Sequence, residues 1–132
     1  MSRKQSILLV EDDQNLQLML KLLLETQRYA IFTAANGCEA LTLLKKGLRF
    51  QLILLDLRMP VMDGWKFSEL VQSIPEFASI PIIVLSGDDW ESLQRMSKQI
   101  RDFLRKPVEI PLLLSKINQF ALPAESWNSA PT

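Results

Sequence analysis

Short, wholly apolar runs recur along the chain, each ending abruptly in polar residues and each followed by a segment with helical spacing. Ile7-Leu8-Leu9-Val10 ends in three acids, Glu11-Asp12-Asp13, and reads as a buried strand. From Gln14 to Gln27, the apolar residues Leu16, Met19, Leu20, Leu23 and Leu24 predict a helix capped by Asp12 or Asp13. Residues 30–34 predict a second strand, Asn36-Gly37 a turn, and Cys38–Lys46 a helix with Ala40, Leu41 and Leu44 facing inward. After Gly47 comes the most strand-like run, Leu52–Asp56, then a loop over 57–64 and a helix from Trp65 to Val71. Pro75 ends that region, and Ile82–Leu85 predicts a fourth strand. The polar patch Ser86-Gly87-Asp88-Asp89 caps a helix around 89–99, and residues 101–104 predict a short fifth strand. In a last helix Ile110, Leu113, Leu114 and Ile117 share one face, with Pro111 in the first turn, where its missing N–H costs nothing.

Strands apolar along their whole length are buried on both faces, so helices must cover both. The expected fold class is α/β, a three-layer αβα sandwich around a doubly wound, five-stranded parallel sheet of order 2-1-3-4-5. The expected organisation is an N-terminal arm at 1–6, one domain over 7–120 and an unstructured tail at 121–132. Length suits that reading, since 132 residues bury enough surface to dispense with a disulfide or metal staple.

Composition narrows the chemistry. There is no histidine, which excludes Cys/His zinc sites, Ser-His-Asp or Cys-His catalysis and a phosphohistidine on this chain. Fifteen basic against fifteen acidic residues provides no field for a nucleic acid backbone, so no nucleic acid partner is expected. Cys38 is the single cysteine and forms no internal disulfide. No secretory start and no membrane-length apolar run is present, which favours a cytoplasmic location and no membrane insertion.

In a sheet of this kind ligands bind beyond the carboxyl ends of the strands. Asp12 and Asp13 follow the first strand, Asp56 the third, Ser86 the fourth and Lys106 the fifth. Each alone has an ordinary reading as a helix cap, a loop hydrogen bond or a solvated lysine. Together, three converging carboxylates and one ammonium are costly unless a cation neutralises them, and Mg²⁺ prefers such oxygen sites with few carboxylates.

The segments Ile7–Asp13, Leu54–Gly64, Pro81–Gly87 and Phe103–Pro107, in this order and spacing, resemble the receiver domain of bacterial two-component response regulators, over about residues 5–120. The resemblance implies Asp56 as phosphoacceptor, and Asp12, Asp13, Asp56 and the backbone carbonyl of Arg58 as ligands of Mg²⁺, for which Mn²⁺ can substitute. It implies Ser86 and Lys106 as phosphoryl-contacting residues and Phe103 as a switch aromatic. Arg58, Met59, Gly87, Asp88 and Pro107 flank the site, and the Lys106–Pro107 bond is expected to be cis. The implied partners are a sensor histidine kinase or histidine phosphotransfer protein, and a downstream protein. The downstream partner would be met by the face of the helix around 89–99, the fifth strand and the last helix. The reading is of a single-domain, chemotaxis-regulator-like signalling switch, primarily a signalling protein, with self-assisted phosphoryl transfer and aspartyl-phosphate hydrolysis.

Three features depart from the commonest pattern of that family. Ser86 and Lys106 are about two residues closer, and Met96–Arg101 replaces a small glycine–alanine element, so the helix around 89–99 or its exit must be rebuilt. Gly87 stands where alanine is frequent, and Phe103 where tyrosine is common. Arg58 and Asp88 either pair across the site or form an ordinary solvated surface pair, Trp90 either anchors a partner or packs on its own domain, and Trp127 is either a short docking element or without a role. Two rival readings compete with it: a phosphorylation-independent adaptor with the same fold, and a flavin-binding electron carrier. For the second, Glu11–Asp13 would repel a phosphate in the absence of metal.

Overall fold

The computed structural model describes residues 5–87 and 99–120. The elements run β1 (Gln5–Val10), α1 (Gln14–Thr26), β2 (Tyr29–Ala34), α2 (Gly37–Lys45), β3 (Leu52–Asp56), α3 (Gly64–Ser73), β4 (Ile82–Ser86), β5 (Ile100–Arg105) and α4 (Ile110–Phe120). All strand pairs are parallel and the sheet order is β2-β1-β3-β4-β5, as expected from the sequence.

Alternation along β1 explains the layers. Ile7 and Leu9 point into the cluster under α1 and α4, with Leu20, Leu24, Leu113 and Ile117. Leu8 and Val10 point into the opposite cluster under α2 and α3, with Ala40, Leu44, Phe67 and Val71. Strands buried on both faces carry no polar positions, which is why they read as continuous apolar runs.

Several boundaries moved, each for a local reason. Residues 5 and 6 belong to β1 rather than to an arm, because Gln5 and Ser6 pair with Tyr29 and Ala30. Gln51 also holds Ser6, accepting its N–H at 2.6 Å. Asn36-Gly37 is a helix start, not a turn: the Asn36 side chain accepts the Glu39 N–H at 3.0 Å. In α1 only Leu20 and Leu24 are fully buried, while Met19 is about half exposed because one narrow stripe of the helix meets the sheet.

The interval before β5 is rebuilt in two ways among the described residues. A register shift between Ile82 and Ile83 leaves Arg101 as an extra residue in β5, so Ile100 and Phe103 reach the same cluster although three positions apart. Gln99, 5% exposed, donates its amide N–H groups to the Phe77 and Ile80 carbonyls at 2.7 and 2.8 Å. The helix expected around 89–99, with Asp88 and Trp90, and the tail with Trp127 lie outside the described residues. Among the described residues no helix is long and apolar enough to cross a membrane.

Candidate functional site

Strand register builds the site. Val10 pairs with Leu55, so Glu11 and Asp56, each one residue further on, stand level at adjacent strand ends. Asp56 pairs with Leu85, which puts Ser86 next to it, and Ser86 pairs with Arg105, which precedes Lys106. The Lys106 N–H donates to the Ser86 carbonyl at 2.9 Å, continuing the ladder one step past β5. Lys106–Pro107 is cis, as the resemblance implied.

The backbone at Glu11 is pinned from two sides. Its N–H donates to the Ala34 carbonyl at 3.0 Å, and its carbonyl accepts from the Gln17 side chain at 2.9 Å. Its carboxylate is buried, accepts the Asp13 N–H at 3.1 Å and lies 2.9 Å from Lys106 Nζ. That Lys106 contact, made to Oε1, is an ion pair without hydrogen-bond alignment. Lys106 Nζ also lies 3.3 Å from Asp56 Oδ1.

Burial pushes the Asp56 carboxyl up to about 7, and the Glu11 charge adds to the rise while Lys106 opposes it. For Lys106, burial favours the neutral amine, but the close Glu11 carboxylate and its charge, followed by the Asp56 charge, prevail and hold its affinity for the proton above the ordinary value.

Glu11, Asp12 and Asp56 each offer a carboxylate oxygen within 4.8 Å of the others. Against the single ammonium of Lys106 this leaves a formal excess of two negative charges. The donors are all hard oxygens, and Glu11 Oε1 has no aligned donor of its own. An oxygen-seeking divalent cation such as Mg²⁺ fits both the donor set and the charge.

Sequence reasoning placed Asp13 in this cluster and omitted Glu11; the structure reverses the two. The Asp13 carboxylate is the N-cap of α1, accepting the Asn15 and Leu16 N–H groups at 3.0 and 3.2 Å. It is directed at the helix, and Glu11 holds the neighbouring place at the strand end. The signal was available in the strand: the residue level with Asp56 is the first acid after β1, not the third.

The remaining residues fall around the cluster. The Arg58 N–H lies 3.4 Å from Asp56 Oδ1, and its guanidinium sits 5.7 Å from the centre of the Trp65 ring. Its expected pairing with Asp88 falls outside the described residues. Met59 packs against the core and lines a recess of about 390 Å³ with Asp12, Arg58, Pro60, Asp63 and Trp65. Among the described residues, a methyl group at Gly87 would meet nothing within 4 Å. Ser86 is buried at the end of β4. Phe103 is half-buried against the α2/α3 cluster, its N–H donating to the Asp102 carboxylate at 2.8 Å. Asp102 in turn pairs with Lys116 of α4 at 2.6 Å.

Known proteins share this fold. A model of the response regulator receiver domain matches residues 7–118. An uncharacterized 14.6 kDa protein from the sodA1 3′ region of Leptolyngbya boryana is 32% identical over 120 residues, covering 88% of this chain and 89% of that protein. The chemotaxis response regulator CheY4 of Vibrio cholerae superposes with a TM-score of 0.81 at 28% identity, over 89% of this chain and 99% of that one. A receiver domain of a Pseudomonas aeruginosa sensor histidine kinase, solved with a magnesium ion coordinated in its active site cleft, superposes with a TM-score of 0.80. It is 26% identical, over 90% of this chain and 98% of that one. Other curated relatives are much longer, and the chain spans 16% and 12% of two that are sensor kinases.

Proposed function

The chain belongs to the response regulator receiver domain family, and from that premise we propose that Asp56 is the side chain that accepts the phosphoryl group. Receiver-domain signalling by phosphorylation, with an acidic cluster suited to Mg²⁺, follows from the family and from Glu11, Asp12 and Asp56 standing together. The observation that carries the assignment to Asp56 is the contact of Lys106 with both Glu11 and Asp56 at one strand edge.

The geometry supports the following roles for the chain's own residues. A buried carboxylate is repelled by an arriving phosphoryl dianion, and the Lys106 ammonium between Asp56 and Glu11 offsets that repulsion. Bound Mg²⁺ would supply charge neutralisation and alignment of the attacking and transferred oxygens. Glu11, Asp12, Asp56 and the Arg58 carbonyl are the groups that would hold it. An Asp56 oxygen forms the new bond to phosphorus as the donor's P–N bond breaks. The electron pair returns to the imidazole nitrogen, which takes up a proton. Lys106 then pairs with the phosphoryl oxygens.

Ser86, at the neighbouring strand end, turns its hydroxyl toward the new phosphoryl group, and Phe103 follows the loop it vacates. This is a shift between two populated states rather than a rigid lock. The donor partner is a sensor kinase or a phosphotransfer protein carrying phosphohistidine. The output surface is the face of β5 and α4.

Incubation with acetyl phosphate and Mg²⁺, followed by intact mass, tests the assignment. One added phosphoryl group that is lost in Asp56→Ala supports it. No gain from acetyl phosphate or from a panel of kinases removes it and leaves a phosphorylation-independent adaptor.

A further inference from the structure

Gln17 lies outside the acidic cluster, yet its side chain is bonded to the peptide on which the cluster is built. Its amide Nε2 donates to the Glu11 carbonyl at 2.9 Å and to the Ala34 carbonyl at 3.3 Å. The Glu11 carbonyl belongs to the planar Glu11–Asp12 peptide unit, so holding that oxygen fixes the plane between two carboxylate-bearing residues. The other side of Glu11 is fixed as well, because its N–H donates to the same Ala34 carbonyl at 3.0 Å. One amide group thus closes the ends of β1 and β2 and sets the direction in which the chain leaves the sheet.

The amide is itself anchored by α1. The Gln17 N–H donates to the Asp13 carbonyl at 2.8 Å, and Asp13 caps that turn through the Asn15 and Leu16 N–H groups. Asp12 makes no backbone hydrogen bond of its own among the described residues, so the peptide planes on either side of it decide where its carboxylate stands. Side chains of consecutive residues diverge along a regular strand. Glu11 and Asp12 instead both offer an oxygen within 4.8 Å of an Asp56 oxygen and of each other. That convergence needs one particular setting of the peptide between them. Without a donor at position 17 the Glu11 carbonyl is free to turn to water, and the setting relaxes.

We propose that Gln17 is a positioning residue that fixes the Glu11–Asp12 peptide and thereby gives the cluster its preference for Mg²⁺ over a larger cation such as Ca²⁺. The proposal rests on Glu11, Asp12 and Asp56 holding the metal. Gln17 carries no charge and makes no hydrogen bond to the three carboxylates, so it acts through geometry alone. Mg²⁺ requires near-ideal octahedral coordination at short distances, whereas Ca²⁺ accepts longer bonds and irregular shells. Relaxing the peptide therefore costs Mg²⁺ more than Ca²⁺.

Calorimetric affinities for Mg²⁺ and for Ca²⁺, with urea unfolding alongside, test this in wild type, Gln17→Met and Gln17→Ala. Both substitutions keep the net charge and favour a helix while removing the donor. Each should lower Mg²⁺ affinity by about tenfold, as loss of an outer-shell hydrogen bond at a metal site commonly does. Ca²⁺ affinity should fall by less than about threefold, since its shell tolerates the displacement. Gln99→Ala is the control: it strands two carbonyls at the opposite end of the sheet, lowers stability and should leave both affinities unchanged. Unchanged Mg²⁺ affinity in both Gln17 variants, an equal loss for the two cations, or an equal loss in Gln99→Ala overturns the proposal while the metal site stands. If wild type binds Mg²⁺ and no Ca²⁺, the Mg²⁺ affinities of the Gln17 variants set against Gln99→Ala decide it. A wild type that binds no Mg²⁺ removes the metal site and the proposal together.

Discussion

Replacing Asp56 with asparagine should stabilise the metal-free protein, by an amount that depends on pH in a specified way. The carboxylate is 5% exposed, level with the buried Glu11, and its proton affinity rises from an ordinary 3.8 to about 7. At about 1.4 kcal/mol for each tenfold in affinity, that rise corresponds to roughly 4 kcal/mol. The sign follows from proton counts. Between about pH 4 and pH 7 the native state holds a proton that the unfolded chain has released, so stability falls as pH rises across that window and is flat above it. Asparagine stands in for the protonated acid and carries no such penalty. With relaxation of the site taken into account, Asp56→Asn should exceed wild type by roughly 2–4 kcal/mol at about pH 8, with the gap closing toward zero near pH 4. Urea unfolding followed by circular dichroism, in the presence of a chelator, measures the difference at both ends of the window. Adding Mg²⁺ at a hundred times its dissociation constant should return about 2.7 kcal/mol to wild type and much less to the variant. A gap that is constant with pH, or a wild type more stable than Asp56→Asn at pH 8 in chelator, would refute both the burial argument and the repulsion assigned to Glu11.

Three further outcomes are expected from the same structure. Because a proton and a cation compete for Asp56, Mg²⁺ affinity should fall as pH drops below about 7 and level off above it, with proton release on binding detectable by calorimetry in buffers of different ionisation enthalpy. Val61 is 81% exposed and sits at φ 67° in a tight turn closed by the Met62 N–H on the Pro60 carbonyl at 2.7 Å. A β-branched side chain is strained there, and Val61→Asn should raise thermal stability by about 1 kcal/mol without altering Mg²⁺ binding. Gln99→Ala strands the Phe77 and Ile80 carbonyls that its amide now satisfies, and should lower the urea midpoint by the equivalent of about 2–3 kcal/mol with the slope unchanged.

Most of the architecture was legible because buried parallel strands announce themselves: Leu52–Asp56 and Ile82–Ser86 carry nothing but apolar side chains up to their functional last residue. What escaped were features that depend on a partner. Gln5 and Ser6 look like a polar arm until Tyr29 and Ala30 are known to lie alongside. Met19 has the spacing of a core residue, but a helix packed on a sheet buries a narrower stripe than a helix packed on several neighbours. The bulge at Arg101 is invisible in a short strand of mixed polarity, although it decides which face Phe103 joins. Gln99 is a polar residue of ordinary appearance whose meaning comes wholly from two carbonyls of the loop before β4.

The acidic run after β1 shows how the site itself was misread by one position. Three consecutive acids cannot share a role, because the chain is changing from strand to helix beneath them. Glu11 is still under the control of the sheet: its N–H continues the ladder to Ala34, and the register puts it beside Asp56. Asp13 is already under the control of the helix, since Leu16, the first apolar residue of α1, needs an acceptor for its N–H three residues upstream. The Asp13 carboxylate oxygen accepts two backbone N–H groups within 3.2 Å and is committed to the helix, outside the cluster of Glu11, Asp12 and Asp56. Asp12 lies between the two regimes, and it is the one acid that sequence and structure both place in the cluster. Metal ligation and helix capping thus compete for the same residue type, and the distance from the strand end decides between them. The same competition predicts which substitutions the run tolerates: Asp13→Asn keeps a cap and should leave Mg²⁺ affinity nearly intact, whereas Glu11→Gln removes a charge from the cluster and a partner from Lys106.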